Sequence, residues 1–160
     1  VCGIRNVDAL IAALLHDSKE EAQHRLLPGG LVTWGLSAQV DALVSALTKD
    51  KSRHPIEYFE QVRQIPLARC QKLADRLDNL SSMQGAFSAE KQLEYMAESR
   101  DLLLICGTES GGLGRYAEPA RMLENAILST MDSAQAAIAK LMPATDGGRT
   151  FLTISGGLVL

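Results

Sequence analysis

Three features of the sequence predict an all-α fold. Apolar residues recur at helical spacing through most of the 160 residues, good helix caps precede these runs, and Pro or Gly separates them. A strand-like pattern is confined to the last ten residues. Apolar residues make up 46% of the chain, which is enough to fill the core of one domain. We therefore expect one helical domain over residues 1–142 and a tail, 143–160.

The first helix is predicted to begin after Asn6, a good N-cap. Apolar residues then lie at helical spacing, namely Val7, Leu10, Ile11, Leu14 and Leu15. The helix ends at the polar pair His16–Asp17. Residues 18–36 form a polar connection rich in Gly and Pro, which is too long to be a simple turn.

The next two helices are marked by Ser37 and Pro55. Ser37 is the predicted N-cap of a helix whose buried stripe is Val40, Leu43, Val44 and Leu47. A charged loop follows over 49–53. Pro55 then fits the first turn of a helix that carries Ile56, Phe59 and Val62.

Longer helical patterns occupy the second half of the chain. A helix starts at Pro66 and is expected to bury Leu67, Cys70, Leu73, Leu77 and Leu80. Another begins after Ser88 and runs to Gly107 as its C-cap, and a Gly-rich loop follows over 107–116. The last helix starts at Glu118–Pro119 and continues to about Leu141. Residues 151–160 have the strand-like pattern but no evident partner strand, so we leave them unassigned.

Composition excludes several classes of function. Sixteen Lys and Arg against 19 Asp and Glu give a net charge of −3, so no general basic surface exists for nucleic acid or an anionic membrane. No basic recognition face supports a helix-turn-helix DNA-binding protein. The apolar stretches are shorter than the roughly 20 residues that cross a bilayer. Three widely spaced cysteines indicate buried thiols in a reducing compartment, and we expect a cytoplasmic protein.

Two clusters of polar residues are candidates for chemistry. His16 and Asp17 lie at a helix end, where adjacent side chains can turn toward one divalent ion, and Glu20 and Glu21 follow closely. The alternative is a solvated helix end, where His is favoured by the helix dipole.

The second cluster lies in the segment KLADRLDNL, residues 72–80. Its leucines define a buried stripe, and a step of about 100° per residue places Asp75, Asn79 and Ser82 together on another face. The alternative is an amphipathic helix in which Lys72, Arg76 and Asp78 form exposed ion pairs.

Four segments carry a resemblance to a known family. In order they are HDSKEEA, WGLSAQVDALVSALTK, ARCQKLADRLDNLSSM and SAEKQLEYMAESRD. Together, over about residues 7–101, they resemble the HD-type hydrolase domain of the RelA/SpoT family, which comprises the (p)ppGpp hydrolases and small stand-alone, hydrolase-only relatives. The resemblance implies an HD-domain helical bundle that removes the 3'-pyrophosphate from a guanosine polyphosphate.

The resemblance also implies roles for individual residues. His16, Asp17 and Asp75 match the ligands of one Mn²⁺ ion, and such ligands suit this metal. Glu20 and Glu21 match the acidic pair that acts on the attacking water and the leaving group. The residues implied to lie against the nucleotide are Asn79, Ser82 and Lys72. The expected partner is thus a small-molecule nucleotide.

The sequence departs from the family pattern at two points. Glu21 stands where the family usually has Asp, which shifts the carboxylate by about a methylene. The family also has a further metal-binding His in an upstream helix, with basic nucleotide-binding residues. Neither His24 nor His54 lies at that position, and we expect this helix to be encoded before Val1.

Other assignments stay open at this point. The chain is too short for the second, synthetase domain of the long family members. It resembles a hydrolase-only form, but the same fold is compatible with hydrolysis of another nucleotide or with a catalytically silent, nucleotide-binding HD domain. Residues 107–116 and 143–160 could influence substrate choice or homo-oligomer formation.

Overall fold

Helices account for most of the structure. The computed structural model describes residues 5–21 and 30–141, with the backbone alone at 20, 21 and 141. The helices are α1 (Val7–Leu15), α2 (Ser18–Glu21), α3 (Ala38–Leu47), α4 (Pro55–Arg63), α5 (Pro66–Ser82), α6 (Ala89–Cys106) and α7 (Ala117–Leu141). Short 3₁₀ helices cover Gly30–Trp34, Thr108–Ser110 and Gly114–Tyr116. No strand occurs among these residues, and the predicted all-α class is confirmed.

Local capping signals determine where the helices begin. The predicted N-caps Asn6, Ser37 and Ser88 each accept a hydrogen bond from a backbone N–H of the first turn. Pro55 and Pro66 occupy the first turns of α4 and α5, where the missing N–H costs no hydrogen bond. His54 is the N-cap of α4, and its Nδ1 accepts from the Ile56 N–H at 3.3 Å.

Helix α5 lies at the centre of the fold. It contacts α1, α3, α4, α6 and α7. The predicted core residues of α5 are buried except Leu77, which is half-buried. Each fully buried Leu side chain contributes about 1.5–3 kcal/mol, so this helix anchors the others. Helix α7 packs along α5 with a stripe spaced by three and four residues, namely Ala120, Leu123, Ile127, Met131, Ala134 and Ile138.

Helix α1 differs from the rest because three of its large apolar side chains are exposed. The side chains of Val7, Leu10 and Leu14 are 71%, 62% and 85% exposed, whereas Ala9 and Ala12 are buried. Since every residue of α1 except Asp8 is apolar, helical spacing alone does not identify the face that packs. The small alanines lie on the packed face, toward α3 and α5.

The structure also bears on the expectations about the cysteines and about membrane-spanning segments. Cys70 and Cys106 are buried thiols, as predicted, and burial raises the pKa of the Cys106 thiol to about 12. In the part of the chain that the structure describes, no helix is long and apolar enough to span a bilayer. Cys2, His24 and the tail 143–160 lie outside the described residues.

Candidate metal centre

A hydrogen bond between its ring and the backbone orients His16 at the end of α1. Its Nδ1 lies 2.7 Å from the Ala13 carbonyl oxygen. Because a carbonyl only accepts, this contact assigns the hydrogen to Nδ1 and leaves Nε2 facing the other groups of the site. A metal-binding His commonly has its second nitrogen fixed in this way.

Two carboxylates converge on His16 Nε2. Asp17 Oδ1 lies 3.1 Å from it, and Asp75 Oδ1 lies 3.7 Å from it. Asp17 is the next residue in the chain, whereas Asp75 comes from the middle of α5. The packing of α1 on α5 thus brings together the two clusters that the sequence separates widely.

Asp75 is held by its own helix as well. Lys72 Nζ donates to Asp75 Oδ2 at 2.6 Å, and Asn79 Nδ2 donates to Asp75 Oδ1 at 3.1 Å. Lys72 also lies over the Tyr58 ring, 5.5 Å from its centroid, and the Tyr58 hydroxyl donates to the Leu47 carbonyl at 2.7 Å. The carboxylate of Asp75 is therefore fixed in orientation, with a cation at one oxygen.

A cavity of about 300 Å³ adjoins these residues. Its walls come from α1, α3, α4 and α5, and the lining residues are Ala13, His16, Leu47, Tyr58, Gln71, Lys72, Ala74, Asp75 and Asp78. This volume lies at the lower end of the range for small-molecule pockets, about 300–1,000 Å³. It suits a phosphate-sized part of a ligand better than a whole nucleotide.

The chemistry of the site is rich in acceptors. Gln71 Nε2 donates to the Ala9 carbonyl at 2.6 Å, which fixes its amide, and its Oε1 is buried without a hydrogen-bond partner among the described residues. The donor set therefore combines one imidazole nitrogen with carboxylate and amide oxygens, and such a set fits a divalent ion such as Mn²⁺.

These residues do not form a complete set of metal ligands, however. The described residues hold no group of three or more His, Cys, Asp or Glu side chains arranged to bind one metal ion. Lys72 neutralises one oxygen of Asp75, and the Asp17 side chain is 67% exposed. Of the three predicted ligands, Asp17 is thus the least constrained by its surroundings.

The remaining predicted site residues have different surroundings. Asn79 contacts Asp75 directly, whereas the Ser82 hydroxyl donates to the Asn79 carbonyl at 3.2 Å and is exposed one turn further along α5. Glu20 and Glu21 belong to α2, directly after His16–Asp17, and their side chains lie outside the described part of the structure.

Arg76 corrects one expectation, because it is not part of an exposed ion pair. It is 2% exposed, stacks 4.0 Å from the Tyr95 ring centroid, and donates to Glu98 Oε1 at 2.9 Å. Its position could have been found in the sequence, since Arg76 lies three residues after Leu73 and four before Leu80 on the buried stripe. Lys72 likewise bonds Asp75 beside the cavity instead of forming a surface pair.

Glu98 is the carboxylate that compensates the buried Arg76. Burial of the Glu98 carboxyl would raise its pKa, but the hydrogen bond from Arg76 and the charges of Arg76, Lys49 and Lys72 outweigh burial and hold the pKa below its ordinary value. Lys49 Nζ lies 3.8 Å from Glu98 Oε1. Behind Asp75, α5 is thus joined to α6 by a charged network.

Comparison with known proteins adds no relative to this picture. No family model, no curated protein and no solved structure matches the chain. The chemistry of the centre therefore depends on the contacts among His16, Asp17, Lys72 and Asp75.

Proposed function

We propose that the chain is a metal-dependent phosphohydrolase of the HD type that removes the 3'-pyrophosphate from a guanosine polyphosphate. The observation that carries the proposal is the approach of Asp17 and Asp75 to His16 Nε2, at 3.1 Å and 3.7 Å. A cation placed between this ring nitrogen and the two carboxylates would be stabilised by all three groups. The proposed substrate class is what the resemblance of segments such as HDSKEEA and ARCQKLADRLDNLSSM to the RelA/SpoT hydrolase domain implies.

His16, Asp17 and Asp75 are the residues that would hold the ion. A divalent ion bound there supplies a Lewis acid for a phosphoryl oxygen and makes a nearby water easier to ionise. The Ala13 carbonyl keeps the His16 ring in the tautomer that leaves Nε2 as a ligand. Asn79 holds Asp75 Oδ1 by a hydrogen bond, so the carboxylate keeps one orientation.

Lys72 contributes a positive charge beside the cavity. Its ammonium bonds Asp75 Oδ2, and its side chain is 16% exposed. A phosphate group entering the cavity meets this cation, because Lys72 lines the cavity wall. Charge that accumulates on phosphate oxygens during hydrolysis is offset by such a fixed cation. Glu20 and Glu21 follow in α2, and we assign to them the proton transfers to and from water and leaving group.

Asp75→Asn is the decisive variant. It keeps the shape of the side chain, but the charge that would bind the ion is lost. We expect wild-type protein to bind about one Mn²⁺ per chain and to release pyrophosphate from ppGpp, and Asp75→Asn to lower the rate at least about 100-fold together with the metal content. Metal analysis and a pyrophosphate assay measure both quantities.

Asp101→Asn is the matched control because Asp101 is an exposed carboxylate on α6. We expect it to retain both activity and metal. Nucleotide binding without turnover by the wild type would overturn the hydrolase proposal and favour a silent nucleotide-binding domain. Turnover of a different phosphorylated nucleotide in place of ppGpp would retain the reaction and overturn the substrate.

A further inference from the structure

A second cavity, which we call the basic cleft, lies beside the candidate metal centre. It has a volume of about 540 Å³ and lies among α2, the end of α3, the following loop and α4. Its lining residues are Lys19, Ser45, Thr48, Lys49, Asp50, Lys51, Arg53 and Gln61. Four of these side chains are cationic and one is a carboxylate, in a chain whose net charge is −3. The cleft is therefore a local positive region on an acidic protein.

Several cations of the basic cleft pair with carboxylates. Lys19 bonds Asp41 at 2.9 Å, and Arg53 Nε lies 3.3 Å from Asp50. Lys49 lies 3.8 Å from Glu98, a carboxylate that also bonds the buried Arg76. Lys51 adds an exposed positive charge. Among the described residues that line the cleft, the four cations outnumber the one carboxylate.

The end of α3 does not account for these cations. Lys and Arg are often found where a helix ends, because they bond its last carbonyls. Here Gln61 takes that role, since its Nε2 donates to the carbonyls of Ser45, Ala46 and Thr48 at 3.0, 3.1 and 3.3 Å. A neutral amide therefore caps α3, and the cations are not required for it.

The basic cleft adjoins the cavity of the candidate metal centre. Leu47 lines the cavity at the centre, while the next two residues, Thr48 and Lys49, line the cleft. Lys19 lies two residues after Asp17, in α2. A single ligand with two anionic groups can thus contact both cavities.

We propose that the basic cleft binds an oligophosphate group. The source of this group rests on the proposed function. With that function, the group is the 5'-diphosphate of the nucleotide whose 3'-pyrophosphate lies at the metal centre. The same chemistry fits a separate oligophosphate anion that regulates the protein. In both cases recognition comes from the cations that line the cleft and face one phosphate chain.

Calorimetric titration with inorganic tripolyphosphate tests the cleft by itself, in the presence of EDTA. The variant is Lys51→Gln/Arg53→Gln, which removes two exposed charges from the cleft. We expect it to bind tripolyphosphate about tenfold more weakly than the wild type does. The control is Lys91→Gln/Arg121→Gln, which also removes two exposed charges, including one arginine from an i,i+3 ion pair with Glu118. We expect the control to bind like the wild type.

Equal affinity in the cleft variant and the wild type, or an equal loss in the control, would overturn the proposal. Wild-type protein that does not bind tripolyphosphate would overturn it as well. If the wild type releases no pyrophosphate from ppGpp, that result contradicts the proposed function only. The titration with tripolyphosphate still tests whether the cleft binds an oligophosphate.

Steady-state kinetics then distinguish the two sources of phosphate. If the cleft holds the substrate's own 5'-diphosphate, the cleft variant raises KM for ppGpp about tenfold and leaves KM unchanged for a guanosine 3'-diphosphate without 5'-phosphates. If it holds a separate anion, both KM values stay unchanged, and tripolyphosphate alters kcat of the wild type but not of the cleft variant.

Discussion

Helices α1 and α5 both contribute to the candidate metal centre, but they are held in the fold by different contacts. Helix α5 buries Leu67, Leu73 and Leu80 and is surrounded by five other helices. Helix α1 buries Ala9 and Ala12, and its Ile11 and Leu15 side chains are partly buried against the core. These contacts remove less apolar surface from water than the three buried leucines of α5 do. Asp75 therefore lies on the most firmly held element, and His16 lies on a weakly held one.

This difference suggests how a site can combine a fixed and an adjustable half. The Asp75 side chain is oriented by Lys72 and Asn79 on its own helix. His16 is positioned by α1, whose exposed leucines, Leu10 and Leu14, contribute little to its packing. Segments with few buried contacts open at lower free energy than the core does. We expect the His16 half of the centre to adjust when a ligand binds, while the Asp75 half stays in place.

Arg69→Met tests how firmly the core holds α5, and it has the largest expected effect. The buried Arg69 guanidinium donates to the carbonyls of Cys106, Gly107 and Gly111 and to the Ser110 hydroxyl. Methionine would leave these buried acceptors unsatisfied, so we expect a loss of about 3 kcal/mol or more in the free energy of unfolding. Urea unfolding followed by circular dichroism measures it.

The control for Arg69→Met is Arg63→Met. Arg63 is exposed and pairs with Glu60 at 3.4 Å over one turn of α4. We expect a change within about 0.5 kcal/mol, because exposed pairs contribute little. Similar losses in the two variants would mean that the bonds of Arg69 are not what holds the 107–112 segment against α5.

Glu98→Gln tests the charged network behind Asp75 and has an intermediate expected effect. At neutral pH the change weakens the bond to the buried Arg76, and we expect a loss of about 2 kcal/mol. The folded pKa of Glu98 lies below the ordinary value of 4.5, so its contribution to stability is complete well above pH 4.5 and disappears as the pH falls through the folded pKa. Unfolding curves measured from pH 7 downward should converge for wild type and variant in that acid range.

A stability difference between wild type and Glu98→Gln that persists undiminished at low pH would contradict this explanation. Glu60→Gln provides the comparison, because Glu60 is an exposed carboxylate whose pair with Arg63 lies at the surface of α4. We expect it to be close to neutral throughout the pH range.

The limits of prediction from sequence follow from the range of each interaction. The N-caps at Asn6, Ser37 and Ser88 depend on residues within one turn, and their sequence signals were sufficient. Arg69 was missed because its partners are carbonyls of a loop about forty residues away, which no local pattern encodes. The burial of Arg76 was predictable from its place on the apolar stripe, whereas the alternative of an exposed ion pair considered only its charge.

In the candidate centre, too, local features were predictable and long-range contacts were not. The distance between His16 and Asp75 depends on how α1 packs on α5. Helical periodicity alone does not predict that the two residues lie close together, and this expectation came from the resemblance. The alanine face of α1 was not predictable, since every residue of that helix except Asp8 is apolar. The basic cleft was not found either, because its cations come from α2 and from the loop after α3.

Asn6→Ala has the smallest expected effect and examines α1 directly. The Asn6 side chain accepts a hydrogen bond from the Ala9 N–H at 3.0 Å, and loss of such a cap costs about 1 kcal/mol. If α1 opens separately from the core, this cost appears as about fivefold faster hydrogen exchange at the amides of α1, while the urea midpoint of the whole protein stays unchanged. Ser88→Ala removes the corresponding cap of α6, which packs in the core, and should lower the global midpoint instead. A midpoint shift of equal size in both variants would mean that α1 unfolds together with α5, and the two halves of the centre would then be equally firm.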